Sequence, residues 1–404
     1  MTTGRGGQDH YISPETVLDS ERQRLLHGTN TEEDELYSTP TNTGSREGYF
    51  TLHEDGSYTY AYGPTGFLGL RHNSYALACA LLASIGGLSF GYDQGVIANV
   101  LVMKDFIGRW PVTALQKGIM TAVLELGALL GALTAGVMTD RYSRRTSMLV
   151  ASLVFCIGSA FQCGASSLSH IFIGRAVGGV GVGALSMLSP LYMAEISPPE
   201  VRGSLLALEQ FSIVLGVVLG FWLGFFTRNV PGSASWRLPL GFQIIPGLIL
   251  LFGCLFLPAS PRLLVLKGQY DKALATLAKL RLRRESDPLV RLELLEMRVE
   301  VTMIQQTLGT DVVSSHKGSD VSQELRTWKM LFGEVYRDRT WIGVLMMVFQ
   351  QWSGINALLY YGPTLVESIG FTGETTTLLV SGGIGIVQFL AVLPTIAFID
   401  RWGA

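Results

Sequence analysis

Eight stretches of this sequence are each long and apolar enough to cross a bilayer as a helix, and that constrains the fold more than any motif. They lie near residues 75–102, 118–138, 147–165, 169–193, 205–226, 238–257, 341–361 and 376–399. About 20 apolar residues cover the hydrocarbon core. With no water there, backbone polar groups must pair within the segment, which a helix does. Charge is correspondingly withdrawn. Only 15% of the 404 residues are charged, and 41 of the 62 charges fall in residues 1–73 and 259–340. A soluble domain carries about 25% and needs polar helix faces throughout. The net charge of −2 leaves no electrostatic footprint for nucleic acid. The fold class is all-α and integral to the membrane.

The polar stretches organise the rest. Residues 1–73, with the acidic run Glu32, Glu33, Asp34 and Glu35, bury too little apolar surface to fold alone and read as a disordered tail. This start is not a cleavable signal peptide, so the first apolar stretch must direct insertion. Basic residues orient the spans: Arg71, Arg141, Arg144, Arg145, Arg202 and the basic connection 259–340 fall on one side, which is the cytoplasmic one. Both termini then face the cytoplasm. Within 259–340, Ser260-Pro261 and Asp287-Pro288 are helix starts, a capping side chain followed by proline. Leu289, Leu292, Leu295 and Val299 give an amphipathic helix, and 314–322 reads as a flexible break. Cys79, Cys156, Cys163 and Cys254 form no C-x-x-C pair, so they read as small buried hydrophobes with no metal or redox role.

Three groups of residues carry chemistry. Asp93 in the first span and Arg175 in the fourth are ions inside apolar helices, costly unless paired or wet, and therefore functional candidates. An acid beside that arginine can exchange a proton as its solvation and pairing change. Glu125 is a third acid in an apolar stretch and reads as packing. Gln350, Gln351 and Asn356 bring amides to successive turns of the seventh span, a donor and acceptor set that matches a ring of hydroxyls. The glycine run Gly178–Gly183 follows no strand, so it is not a dinucleotide loop but a close-packing surface.

Between spans two and three runs Gly136-x-x-x-Asp140-Arg141-x-Ser143-Arg144-Arg145, and a related Asp400-Arg401 follows the eighth span. A loop repeated six spans on implies an internal repeat of the kind secondary transporters use. This loop resembles the signature of the major facilitator superfamily, with Ser143 where glycine is usual. Further landmarks resemble the sugar porter family, and fungal members of it in particular. These are Phe90-Gly91-Tyr92-Asp93, Arg175-x-x-Gly178-Gly179-x-Gly181-x-Gly183, Pro190-x-Tyr192-x-x-Glu195-x-x-Pro198-x-x-x-Arg202-Gly203, Pro258-Ala-Ser-Pro261-Arg262 and Gln350-Gln351-x-x-Gly354-x-Asn356. They cover residues 75 to 404.

The resemblance implies a major facilitator fold of twelve spans, of which eight are present, so the chain reads as a C-terminally truncated member. Residues 74–258 would form a six-helix bundle, 259–340 a cytoplasmic helical loop and 341–404 part of a second bundle. It implies sugar contacts from Phe90, Gln210, Gln350, Gln351, Asn356, Tyr361 and Gln388, with Phe90 and Tyr361 offering apolar ring faces. It assigns proton coupling to Asp93 and Arg175. Asp140, Arg141, Arg144, Arg145, Glu195, Arg202, Arg262, Asp400 and Arg401 would form a cytoplasmic charge lock, although Ala259 stands where the family has an acid. The function implied is proton-coupled transport of a hexose-like monosaccharide by a monomer of the plasma membrane, with sugar and protons as its partners beside the lipid. A polyol or quinate carrier, a sugar sensor or an inactive fragment are the alternatives. No soluble segment holds a catalytic cluster, so an enzyme is excluded, and neither cofactor nor metal is implied.

Overall fold

The computed structural model describes residues 49–52, 58–64, 66–308, 328–329, 331–333, 336–370 and 374–402. Eight helical spans are present among them: Ser74–Val100, Ala114–Arg141, Arg144–Cys163, Leu168–Ile196, Pro199–Thr227, Ala234–Gly253, Arg337–Ser368 and Thr376–Ile396. Their starts are written locally. Thr113 and Gln116 form a reciprocal capping box ahead of span two. Ser143 accepts from the Thr146 amide at 3.1 Å, so the residue that departs from the usual glycine caps span three.

Small residues set how the spans pack. Span one lies along span five, and span four lies between spans two and three. A Cβ on Gly91 would stand 1.8 Å from the Ile213 carbonyl oxygen, and one on Gly183 would stand 2.0 Å from that of Ala128. The backbones therefore approach as closely as glycine alone allows. Span two shows both faces of the arrangement. Gly127, Gly131 and Ala135 are buried, whereas Leu126, Leu129, Leu130, Leu133 and Val137 are exposed and would be covered by lipid tails.

Three spans are interrupted, span six at Gln243 between helices Ala234–Phe242 and Ile244–Gly253. Span one passes through Ser84 between helices Ser74–Ala83 and Ile85–Val100. Span seven breaks between Arg337–Trp352 and Ile355–Ser368 at Gly354, whose φ of +76° belongs to the left-handed region that glycine occupies without strain. The first half of span seven contains no buried residue.

Within the described residues from 49 on, the segment ahead of span one corrects the expectation that 1–73 is a disordered tail. Strands Tyr49–Leu52 and Tyr58–Ala61 pair antiparallel, and Tyr62 is buried. Aromatic residues in 58–62 supply the apolar surface that the average composition hides. The acidic run 32–35 lies outside the described residues. The connection after span six folds into helices Pro261–Leu266, Tyr270–Arg281 and Pro288–Leu308. Ser260 accepts from the Leu263 amide and Asp287 from that of Leu289, as their Ser-Pro and Asp-Pro pairs predict. The buried face of the third helix is rotated from the expected one: Leu289, Val290, Glu293 and Val301 are buried, while Leu292, Leu295 and Val299 are half-buried. Glu293 faces inward because Arg281 pairs with it at 2.5 Å. The break read at 314–322 lies outside the described residues.

Candidate functional site

Asp93 and Arg175 meet in the centre of the bundle, 1% and 0% exposed, with Arg175 Nη2 at 3.3 Å from Asp93 Oδ2. The Arg175 Nε donates to the Met120 carbonyl at 2.7 Å, so the guanidinium ties span four to both span one and span two. Neither Asp93 oxygen accepts a hydrogen bond of good geometry. A buried pair without such support is held together by charge alone, and its desolvation is poorly compensated. The neighbouring Tyr92 hydroxyl donates to the Pro239 carbonyl at 3.0 Å and anchors this turn of span one to span six.

The amides are only partly gathered. Asn356 Nδ2 donates to Gln351 Oε1 at 2.9 Å, across the break at Gly354. The expected continuous face is therefore a corner, and Gln350 lies exposed beside it. Gln210 is exposed on span five, and Phe90 and Gln388 are half-buried. Gln388 Oε1 is buried without a partner. Tyr361 does more than offer an aromatic face, since its hydroxyl lies 3.1 Å from Thr121 Oγ1. The cavity bounded by Gly95, Val217, Phe221, Gly362, Ser381 and Gly382 is lined by none of the amides named above.

At the other end of the bundle, Arg144 organises the loop between spans two and three. It pairs with Glu195 at 3.0 Å and with Asp140 at 3.0 Å, and donates to the Thr139 carbonyl at 3.0 Å. Arg141 lies over the Tyr142 ring, and Arg145 is half-buried. Asp400 caps span five, accepting from the Ser204 amide at 3.1 Å and from its hydroxyl. Gly203 makes this possible, because a Cβ there would stand 2.3 Å from Asp400 Oδ1. Arg202 is exposed and Arg262 pairs with Glu300, so neither joins the Arg144 network. The Arg401 side chain lies outside what is described.

Three sets of contacts escape a reading of the sequence. Glu125 accepts from Tyr360, a polar contact between spans rather than packing. Glu209, 7% exposed, has no hydrogen bond to either oxygen and lies against Gly87. Tyr62 inserts beside Glu293 and Leu289. Glu125 was visible as an acid in an apolar stretch; its partner, 235 residues away, was not.

Comparison with known proteins agrees with this architecture. The family model described as "Sugar (and other) transporter" matches residues 79–404. The chain is 30% identical to the low-affinity glucose transporter HXT3 of Saccharomyces cerevisiae, over 80% of this chain and 56% of that one. It is 32% identical to a D-xylose transporter of Levilactobacillus brevis, over 79% of this chain and 64% of that one. The chain thus spans between half and two thirds of the length of these relatives. Among solved structures, the proton:xylose symporter XylE bound to 6-bromo-6-deoxy-D-glucose superposes with a TM-score of 0.66 at 26% identity, covering 81% of this chain and 70% of that one. A partially occluded, inward-open form of XylE from E. coli gives 0.58 at 25% identity, covering 81% and 74%. With its ordered motifs, its eight packed spans and a family match over most of its length, the chain is a multi-pass membrane protein that belongs to the sugar transporter family of the major facilitator superfamily, not an enzyme.

Proposed function

We propose that the chain carries a hexose-like monosaccharide across the plasma membrane by alternating access, in symport with a proton, with its termini and the connection 259–340 in the cytoplasm. The observation that carries this reading is the buried Asp93–Arg175 pair, 3.3 Å apart. Proton uptake by Asp93 removes the charge that Arg175 faces, and release restores it. Two packings of spans one and four thereby become close in energy, one for each protonation state. Gln351 and Asn356 supply the amides for sugar hydroxyls, with Gln210 and Gln388 on spans five and eight as further contacts. Relatives named for glucose and D-xylose support a monosaccharide over a charged cyclic acid. The Arg144–Glu195–Asp140 network and Asp400 hold the cytoplasmic ends together.

The test is uptake of labelled monosaccharides by cells lacking hexose carriers of their own. Saturable accumulation that collapses with a protonophore is expected, and Asp93→Asn should retain sugar binding and exchange while losing accumulation. Asp93→Asn that still concentrates sugar would leave the pair a structural role only.

A further inference from the structure

The Asp93–Arg175 pair does not end at span four. Arg175 Nε grips the Met120 carbonyl of span two at 2.7 Å. The next residue, Thr121, meets the Tyr361 hydroxyl at 3.1 Å. One turn further along the same helix, Glu125 accepts from Tyr360, whose ring is 6% exposed. Residues four apart share a helix face, so Thr121 and Glu125 present two adjacent acceptors to two adjacent tyrosines. The rest of span seven up to Trp352 is exposed. This double contact is where side chains of span seven bond to span two, beside the packing of the same half of span seven against span one.

We propose that Glu125 is a positioning residue that latches span two to span seven, and that span two passes the state of the Asp93–Arg175 pair to that latch. The inference rests on the proton-coupled reading above. The charged and titratable groups around the latch are few. Span one contributes Asp93 and Tyr92, span four contributes Arg175, and span seven contributes Tyr360 and Tyr361. When Asp93 takes a proton from outside water, Arg175 loses its counter-charge while still fixed to span two through Met120. Glu125, on that same span, is then the carboxylate left to attract it. Its pull competes with the Tyr360 hydroxyl for the same oxygens, and the outer half of span seven is released.

The test reads access, not uptake, so its outcome is independent of whether sugar is moved. Leu358→Cys, on the cavity wall behind Tyr360 and Tyr361, reports opening to a membrane-impermeant maleimide applied outside intact cells. Cys163, the one native cysteine that is not buried, is replaced by alanine. Tyr360→Phe and Glu125→Leu should each raise the labelling rate at least threefold. Glu125→Gln keeps an acceptor oxygen and should label as slowly as the parent. Asp93→Asn should accelerate labelling with Glu125 present, but not with Glu125→Gln, nor further in Tyr360→Phe. Labelling unchanged by Tyr360→Phe, a substitution that leaves the ring packing intact, overturns the latch. Equal acceleration by Asp93→Asn with glutamate or glutamine at 125 overturns the coupling. Normal labelling behaviour without sugar uptake would count against the transport reading and leave the latch standing.

Discussion

The Tyr62 hydroxyl donates to Glu293 at 2.6 Å, joining residues 231 positions apart on either side of the six-span bundle. It also donates to the Leu289 carbonyl at 3.0 Å, and the Tyr62 amide donates to Glu200 at 2.6 Å. Arg281 completes the knot by pairing with Glu293 and donating to the Ile196 carbonyl at 2.8 Å. The strand before span one, the link between spans four and five and two connecting helices are thus held by one buried cluster. Hydrogen bonds to charged groups contribute about 1.5–3 kcal/mol. Tyr62→Phe should therefore loosen the segment ahead of span one, seen as faster protease cleavage there with span packing intact.

The same cluster should fail in alkali. Burial, then the Glu293 charge, holds the Tyr62 hydroxyl well above the ordinary tyrosine range, with Arg281 opposing; Tyr60 is raised by burial and by Glu293 and Glu296. The folded state binds these protons more tightly than the unfolded one. Their contribution is complete below about pH 10 and declines as pH rises beyond it. Protease protection measured from pH 8 to 11 should fall at the top of that range, and the Tyr60→Phe, Tyr62→Phe double variant should flatten the profile.

Breaking the Arg144–Glu195 pair should cost up to about 3–5 kcal/mol, because the buried Arg144 keeps only the exposed Asp140 as counter-charge. Glu195→Ala should lower the melting temperature in detergent more than Asp140→Ala does. Asp140 is 62% exposed at its side chain, and an exposed pair contributes about 0–1 kcal/mol. Equal shifts would show that both carboxylates anchor the loop alike, and a larger shift for Asp140→Ala would make Asp140 the anchor.

Gly91→Ala should abolish folded yield, since the added methyl meets the Ile213 carbonyl at 1.8 Å. Gly343→Ala meets nothing within 4 Å, and should stabilise its helix by about 0.5–1 kcal/mol. Size-exclusion profiles of the two variants decide the matter.

Gln351→Ala and Asn356→Ala should each weaken monosaccharide binding by about 0.5–1.5 kcal/mol, roughly two- to tenfold in affinity. Equilibrium binding of a labelled hexose to membranes measures this. Unchanged affinity would assign both amides to the local bond across Gly354.

Spans were legible because their signal is local: twenty apolar residues announce themselves without reference to the rest of the chain. The pairing of Asp93 with Arg175 was legible for a related reason, as two ions in hydrocarbon have few other partners. Glu195 and Asp140 were visible as candidates, but that Arg144 holds both depends on how spans two, three and four pack. Tyr62 was hidden by averaging. Its neighbours are polar enough to read as tail, and its partner is an acid whose inward position requires Arg281. The amides were recognised, yet their expected common face assumed an unbroken helix, and a left-handed Gly354 is a backbone choice that composition does not encode.

Asp400 reaches the first turn of span five from 196 residues further along the chain. At about 5–20 residues per second, synthesis needs roughly 10–40 s to supply it. For that interval the amide of Ser204 has no carboxylate to receive it, although the span itself has already left the ribosome. The N-terminal end of span five is thus finished on a schedule set by the arrival of span eight, and Asp400→Ala should leave it unfinished however long the cell waits.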